Sequence, residues 1–89
     1  MLDRELTVSN RLGLHARATA KLVQVLSGFR CNATLSAKGR EVNAKSIMGV
    51  MLLAAGQGTP VTVRTDGEDE AAAMDAIASL FERRFDEDA

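Results

Sequence analysis

The chain predicts an α+β fold, a two-layer sandwich with elements in the order β-α-β-β-α-β-α. Several segments alternate apolar and polar residues at period two, the pattern of an antiparallel sheet with one packed and one wet face. Others place apolar residues on a stripe at helical spacing, and such helices can cover the packed face. Residues that break or cap these elements fall between them.

"LDRELTV" carries Leu2, Leu6 and Val8 on one face, with Arg4 interrupting, and reads as the first strand. "SNRLG" ends it. A helix is expected from Ala16 to Ser27, with Ala16, Thr19, Ala20, Val23 and Leu26 on its inward stripe and Gly28 as a left-handed C-terminal cap. "RCNATLS" alternates Cys31, Ala33 and Leu35 with polar neighbours, "AKG" is a turn, and "REVNA" returns as the partner strand of a hairpin. In "KSIMGVMLLAAGQG" apolar residues fill nearly every position, so periodicity alone does not decide. Ser46 as an N-cap, the helix-forming Met and Leu residues and the "GQG" stop favour a short helix of about two turns. "PVTVRTD" is an alternating strand with Pro60 tolerated at its first position. The last helix shows Met74, Ile77, Ala78, Phe81 and Phe85 on one face, acids Glu68, Asp69 and Glu70 at its start, and Arg83 and Arg84 near its end. The closing "DEDA" is expected to be a frayed acidic tail.

Composition narrows the function. Without a visible repeat or linker, the 89 residues are expected to form one domain, 1–89. Eleven Lys and Arg stand against 12 acids, and three Phe are the only aromatics besides one His. Neither a basic excess nor a stacking platform is available, which argues against nucleic acid. Cys31 alone forms no internal disulfide or metal site and reads as a buried thiol in a strand. No targeting segment or apolar run of about 20 residues is visible, so a cytoplasmic chain with no membrane insertion is expected. A monomer is the default, as no long apolar edge is evident.

The only histidine, His15, directly precedes the helical pattern in "RLGLHARATAKLV". A histidine there can simply be a surface residue or a satisfied cap. The position nevertheless gathers unpaired helix N–H groups of Ala16, Arg17 and Ala18 with the positive end of the macrodipole, a ready site for phosphate. Gly13 permits a sharp turn and close approach of an anion, and Arg17 adds a planar fork suited to phosphate oxygens. Positive potential favours an uncharged ring with a free lone pair, a nucleophile for phosphorus. No phosphate-binding glycine loop, no carboxylate pair for magnesium and no Ser-His-Asp set accompany it. The pattern suits a carrier of a phosphoryl group, with no cofactor and no metal, and not a kinase.

"LGLHAR", "KSIMGVM", "GQGTPVTV" and "DGEDEAAAM", in this order and spacing, resemble the HPr family, the histidine-containing phosphocarriers of the bacterial phosphoenolpyruvate-dependent phosphotransferase system. The similarity runs essentially from end to end. It implies an open-faced sandwich, a four-stranded antiparallel sheet covered on one face by three helices. It also implies that His15 accepts phosphate on Nδ1 from phosphorylated Enzyme I and passes it to IIA proteins or domains, with Arg17 assisting. The family usually has Pro where this chain has Ala18. Alanine restores a backbone donor at the helix mouth but leaves the first turn less preorganised.

"KSIMGVM" also resembles the motif of family members modified by HPr kinase/phosphorylase, which makes Ser46 an expected regulatory phosphorylation site besides its role as a cap. Ile47, Met48, Met51, Leu52 and Leu53 are more apolar residues than one face of two turns can bury. Some are expected to be exposed for partner docking, joined by Leu14, the neighbour of His15, and methionines suit a surface serving several partners. Two other readings stay open. One is a carrier of the nitrogen-type regulatory branch, whose members the "FDEDA" ending resembles. The other is an interaction module with an inert histidine, which Arg17 disfavours.

Overall fold

The structure, a computed structural model, describes residues 1–87. Its strands β1 (Leu2–Thr7), β2 (Asn32–Ala37), β3 (Arg40–Asn43) and β4 (Pro60–Asp66) form one antiparallel sheet in the spatial order β1-β4-β2-β3. Alternation decides which face is covered. Val61, Val63 and Thr65 of β4 are buried, as are Ala33, Leu35 and Ala37 of β2, while the residues between them are exposed or half-exposed. The register sets Leu35 and Arg4 on either side of Val63, so all three lie on the inner face. Arg4 is tolerated there because β1 is an edge strand and its side chain reaches solvent. Lys38 and Gly39, at φ 53° and 77°, close the β2–β3 hairpin between the paired Ala37 and Arg40. Positive φ at both central residues matches the twist of the flanking strands.

Helices α1 (Ala16–Leu26), α2 (Ile47–Leu52) and α3 (Glu70–Glu82) cover the inner face, and a short helical turn, Arg84–Asp86, follows α3. None of the helices is long and apolar enough to cross a membrane. The expected stripe of α1 is out of phase. Ala18, Thr19, Leu22 and Leu26 face the core, whereas Ala16 and Ala20 are exposed. Alanines on several sides of this helix leave its apolar stripe poorly defined, and the large Leu22 fixes the true phase. Gly28 is not a left-handed cap. Ser27, in right-handed helical conformation, ends α1, and its N–H donates to the Val23 carbonyl. In α3, Met74, Ile77, Ala78 and Phe81 are buried as expected. Phe85 is buried too, but beyond the helix, at φ 56°.

Gly13 joins the segment before α1 to the segment after α2. Its φ is +67°, and a Cβ there would lie 2.5 Å from the Ala55 carbonyl oxygen. That close approach lets the Leu14 N–H donate to the same oxygen at 2.9 Å. Gly39, at φ +77°, has open space around it. Gly39→Ala is therefore expected to cost about 1 kcal/mol from backbone strain alone, and Gly13→Ala at least about 2 kcal/mol because strain and steric overlap add. Urea unfolding with an unchanged slope measures both; equal losses at the two positions contradict the packing role of Gly13.

Candidate functional site

The first amides of a helix have no intrahelical acceptor, and in α1 an imidazole takes one of them. His15 is the N-cap, extended at φ −75° and ψ 179°, and its Nδ1 accepts the Arg17 N–H at 3.2 Å. The His15 carbonyl accepts the Thr19 N–H at 2.9 Å, and the Thr19 hydroxyl donates to the Leu14 carbonyl. The ring is thus fixed by backbone geometry at the helix mouth. Leu14 is buried, only 5% exposed, which corrects its expected place in a docking surface. Its position before the cap directs its side chain into the core.

The other ring nitrogen meets the C-terminal segment. Nε2 lies 2.5 Å from Oε2 of Glu87, and Oε1 of Glu87 accepts from Nδ2 of Asn10 at 3.0 Å. Asn10 is fully buried and donates also to the Gly13 carbonyl at 2.7 Å. Two acceptors around one amide group settle its orientation. The Asn10 amide above all, and then the His15 ring, hold the Glu87 carboxyl below the usual carboxylate range. An ionised carboxylate only accepts and a backbone N–H only donates, so the contacts to Glu87 and Arg17 together assign the proton to Nε2 and the lone pair to Nδ1.

The expected frayed tail is therefore corrected at Asp86 and Glu87, whereas Asp88 and Ala89 lie outside the described residues. Arg84, Phe85 and Asp86 have φ of 55°, 56° and 60°, a left-handed path that turns the chain back toward α1. Phe85 packs fully buried against Phe81, with ring centroids 5.0 Å apart. Nζ of Lys21, on α1, donates to the Phe85 carbonyl at 2.6 Å. Arg83 pairs with Asp86 across the turn.

These elements enclose an open cleft of about 650 Å³, lined by Arg11, Arg17 and Lys21 together with His15, Ala16 and Glu87. Three cationic side chains beside a helix N-terminus give this cleft a positive potential suited to an oxyanion, and His15 lies on its lining. Among the described residues, no cluster of three or more His, Cys, Asp or Glu is arranged to hold a metal ion. The structure brings together His15, Arg17 and the first amides of α1, which the sequence reading had singled out as a site. That reading missed Asn10, Lys21 and Glu87. The one available signal was Phe85, a large apolar residue in an otherwise charged ending, which marks a segment anchored on the core.

Ser46 caps α2 as expected: its Oγ accepts the Gly49 N–H at 3.1 Å. Helix α2 packs between α1 and β3 and buries Val50, with Leu53 beneath its end. Ile47, Met48, Met51 and Leu52 remain between 43% and 73% exposed. Four large apolar side chains on one short helix form a contiguous patch rather than scattered exposure.

Comparison with known proteins matches residues 2–83 to the family model PTS HPr component phosphorylation site. The chain is 73% identical over 88 residues to the phosphocarrier protein HPr of Xylella fastidiosa strain Temecula1, covering 99% of each chain. It is 40% identical over 86 residues to the phosphocarrier protein NPr of Shewanella violacea, covering 97% of this chain and 94% of that one. Among solved structures, HPr from Thermoanaerobacter tengcongensis superposes with a TM-score of 0.96 at 38% identity, over all of both chains. The chain belongs to the HPr family, the phosphocarrier proteins of the phosphotransferase system.

Proposed function

We propose that His15 carries the phosphoryl group on Nδ1, taking it from phosphorylated Enzyme I and passing it to IIA proteins or domains of the sugar phosphotransferase system. The observation that carries this reading is the division of labour within the ring: Nε2 faces the Glu87 carboxylate, and Nδ1 keeps a lone pair engaged only by the Arg17 N–H, on a residue that shares a cleft with Arg11, Arg17 and Lys21. In the first transfer the Nδ1 lone pair forms the bond to phosphorus. The donor's bond to phosphorus breaks, and its electron pair leaves on the donor. The Arg17 N–H, released from Nδ1, then turns to a phosphoryl oxygen, joined by the amides of Ala16 and Ala18. The Arg17 side chain supplies a planar charged fork to the same oxygens. No cofactor enters, and the chain works as a phosphorylated intermediate, not as a stand-alone enzyme. A cytoplasmic, monomeric chain acting as one domain over residues 1–89 belongs to the same proposal.

Ile47, Met48, Met51 and Leu52 supply the docking surface for Enzyme I and IIA partners in this reading, and Ser46 is its regulatory site, modified by HPr kinase/phosphorylase. Phosphate on Ser46 would sit at a helix start, where negative charge is tolerated, so the fold survives modification. The same charge beside an apolar docking surface weakens partner binding. The second reading, a nitrogen-type regulatory carrier, draws on the similarity to a protein named NPr. Higher identity to proteins named HPr favours the first. Phosphotransfer to a sugar-type IIA, set against a nitrogen-type IIA, separates them.

Incubated with Enzyme I and phosphoenolpyruvate, the protein should take up an acid-labile, base-stable phosphoryl group, and His15→Gln should take up none. Phosphorylation of the glutamine variant at the original rate overturns the reading. Ser46→Asp should slow uptake by about tenfold or more with little change in thermal stability. Undiminished uptake in that variant removes Ser46 from regulation.

A further inference from the structure

We propose that Glu87 is a positioning residue for phosphoryl transfer, whose carboxylate holds the proton on Nε2 of His15 and offsets the positive charge that the ring gains when Nδ1 bonds to phosphorus. The inference rests on the carrier reading of His15. Nδ1 enters the reaction with its lone pair and leaves it bonded to phosphorus, while Nε2 keeps its proton. The ring therefore passes from neutral to cationic, and the charge falls on an imidazole that is only partly exposed to water. A carboxylate 2.5 Å from Nε2 meets that charge where it develops. When the phosphoryl group leaves for the next acceptor, the electron pair returns to Nδ1 and the proton stays in place.

The carboxylate is built in. Its second oxygen is held by Asn10, whose own side chain is fully buried and tied to the Gly13 carbonyl. Its backbone is carried by the left-handed run Arg84, Phe85 and Asp86. Such a conformation costs roughly 1–2 kcal/mol per non-glycine residue, so a chain that merely ended after α3 has no reason to adopt it. Burial of Phe85 and the Lys21 hydrogen bond to its carbonyl offset that cost. The arrangement delivers the Glu87 carboxylate to the Nε2 side of the His15 ring. Arg11, Arg17 and Lys21 line the same cleft and reduce its repulsion of an incoming phosphoryl group, while Asp86 is paired with Arg83.

The test compares Glu87→Gln and Glu87→Ala with the unaltered protein, each checked for an intact thermal transition. Gln keeps an acceptor for Nε2–H but no charge; Ala keeps neither. The unaltered protein should show a downfield, slowly exchanging Nε2–H resonance in the proton spectrum. That resonance should move upfield in the Gln variant and vanish in the Ala variant. Phosphoryl uptake from phosphorylated Enzyme I should slow by about tenfold in both. Uptake at the original rate in both variants, or its full restoration by Gln, overturns the proposal. If the unaltered protein takes up no phosphoryl group, the carrier reading fails and this inference falls with it; normal uptake with indifferent variants removes Glu87 alone.

Discussion

The hydrogen bond from the Arg17 amide to Nδ1 of His15 organises the site. A helix start must dispose of its first N–H groups, and short side chains such as Ser or Asp usually do so. Here a ring with two inequivalent nitrogens performs the capping. The bond orients the plane of the imidazole, keeps the Nδ1 lone pair directed at the helix mouth, and turns Nε2 toward the C-terminal segment. A capping residue proposed as the nucleophile lies by construction among helix amides able to receive a phosphoryl group. Structure and chemistry share one set of donors.

Two distant segments then complete the site around that ring. Gly13 lets the loop before α1 lie directly on the backbone after α2, which fixes the entry of the helix. Phe85 anchors the chain beyond α3, and Lys21 ties its carbonyl to α1. Asn10 links the two, since one amide group reaches both Gly13 and Glu87. The sheet supports this arrangement: α3 packs on β1 and β4 and also against α1. The apolar patch of α2 stands on a helix packed against α1.

Much of this was legible in the sequence because it is governed by local rules. Strict alternation in Val61, Val63 and Thr65 marks a strand with one wet face. Ser46 followed by good helix formers marks a cap, and a lone His between Gly13 and Arg17 marks the helix mouth. The misreadings have physical causes. Alanines at 16, 18 and 20 carry almost no amphipathic information, so the phase of α1 was set by Leu22 and Leu26 packing on the core. Leu14 was misplaced because adjacency to His15 in sequence says nothing about direction, and the two side chains point apart in burial. Glu87 was invisible for a stronger reason. A carboxylate in an acidic ending carries no local sign that it will meet a residue 72 positions earlier.

The central claim is that the ring nitrogens of His15 have separate tasks, Nδ1 bonding to phosphorus while Nε2 keeps its proton. Nitrogen NMR of the ¹⁵N-labelled protein after phosphorylation by Enzyme I reads this directly. The account predicts one-bond coupling to phosphorus at Nδ1 and an attached proton at Nε2. Coupling to phosphorus at Nε2, with the proton at Nδ1, contradicts it.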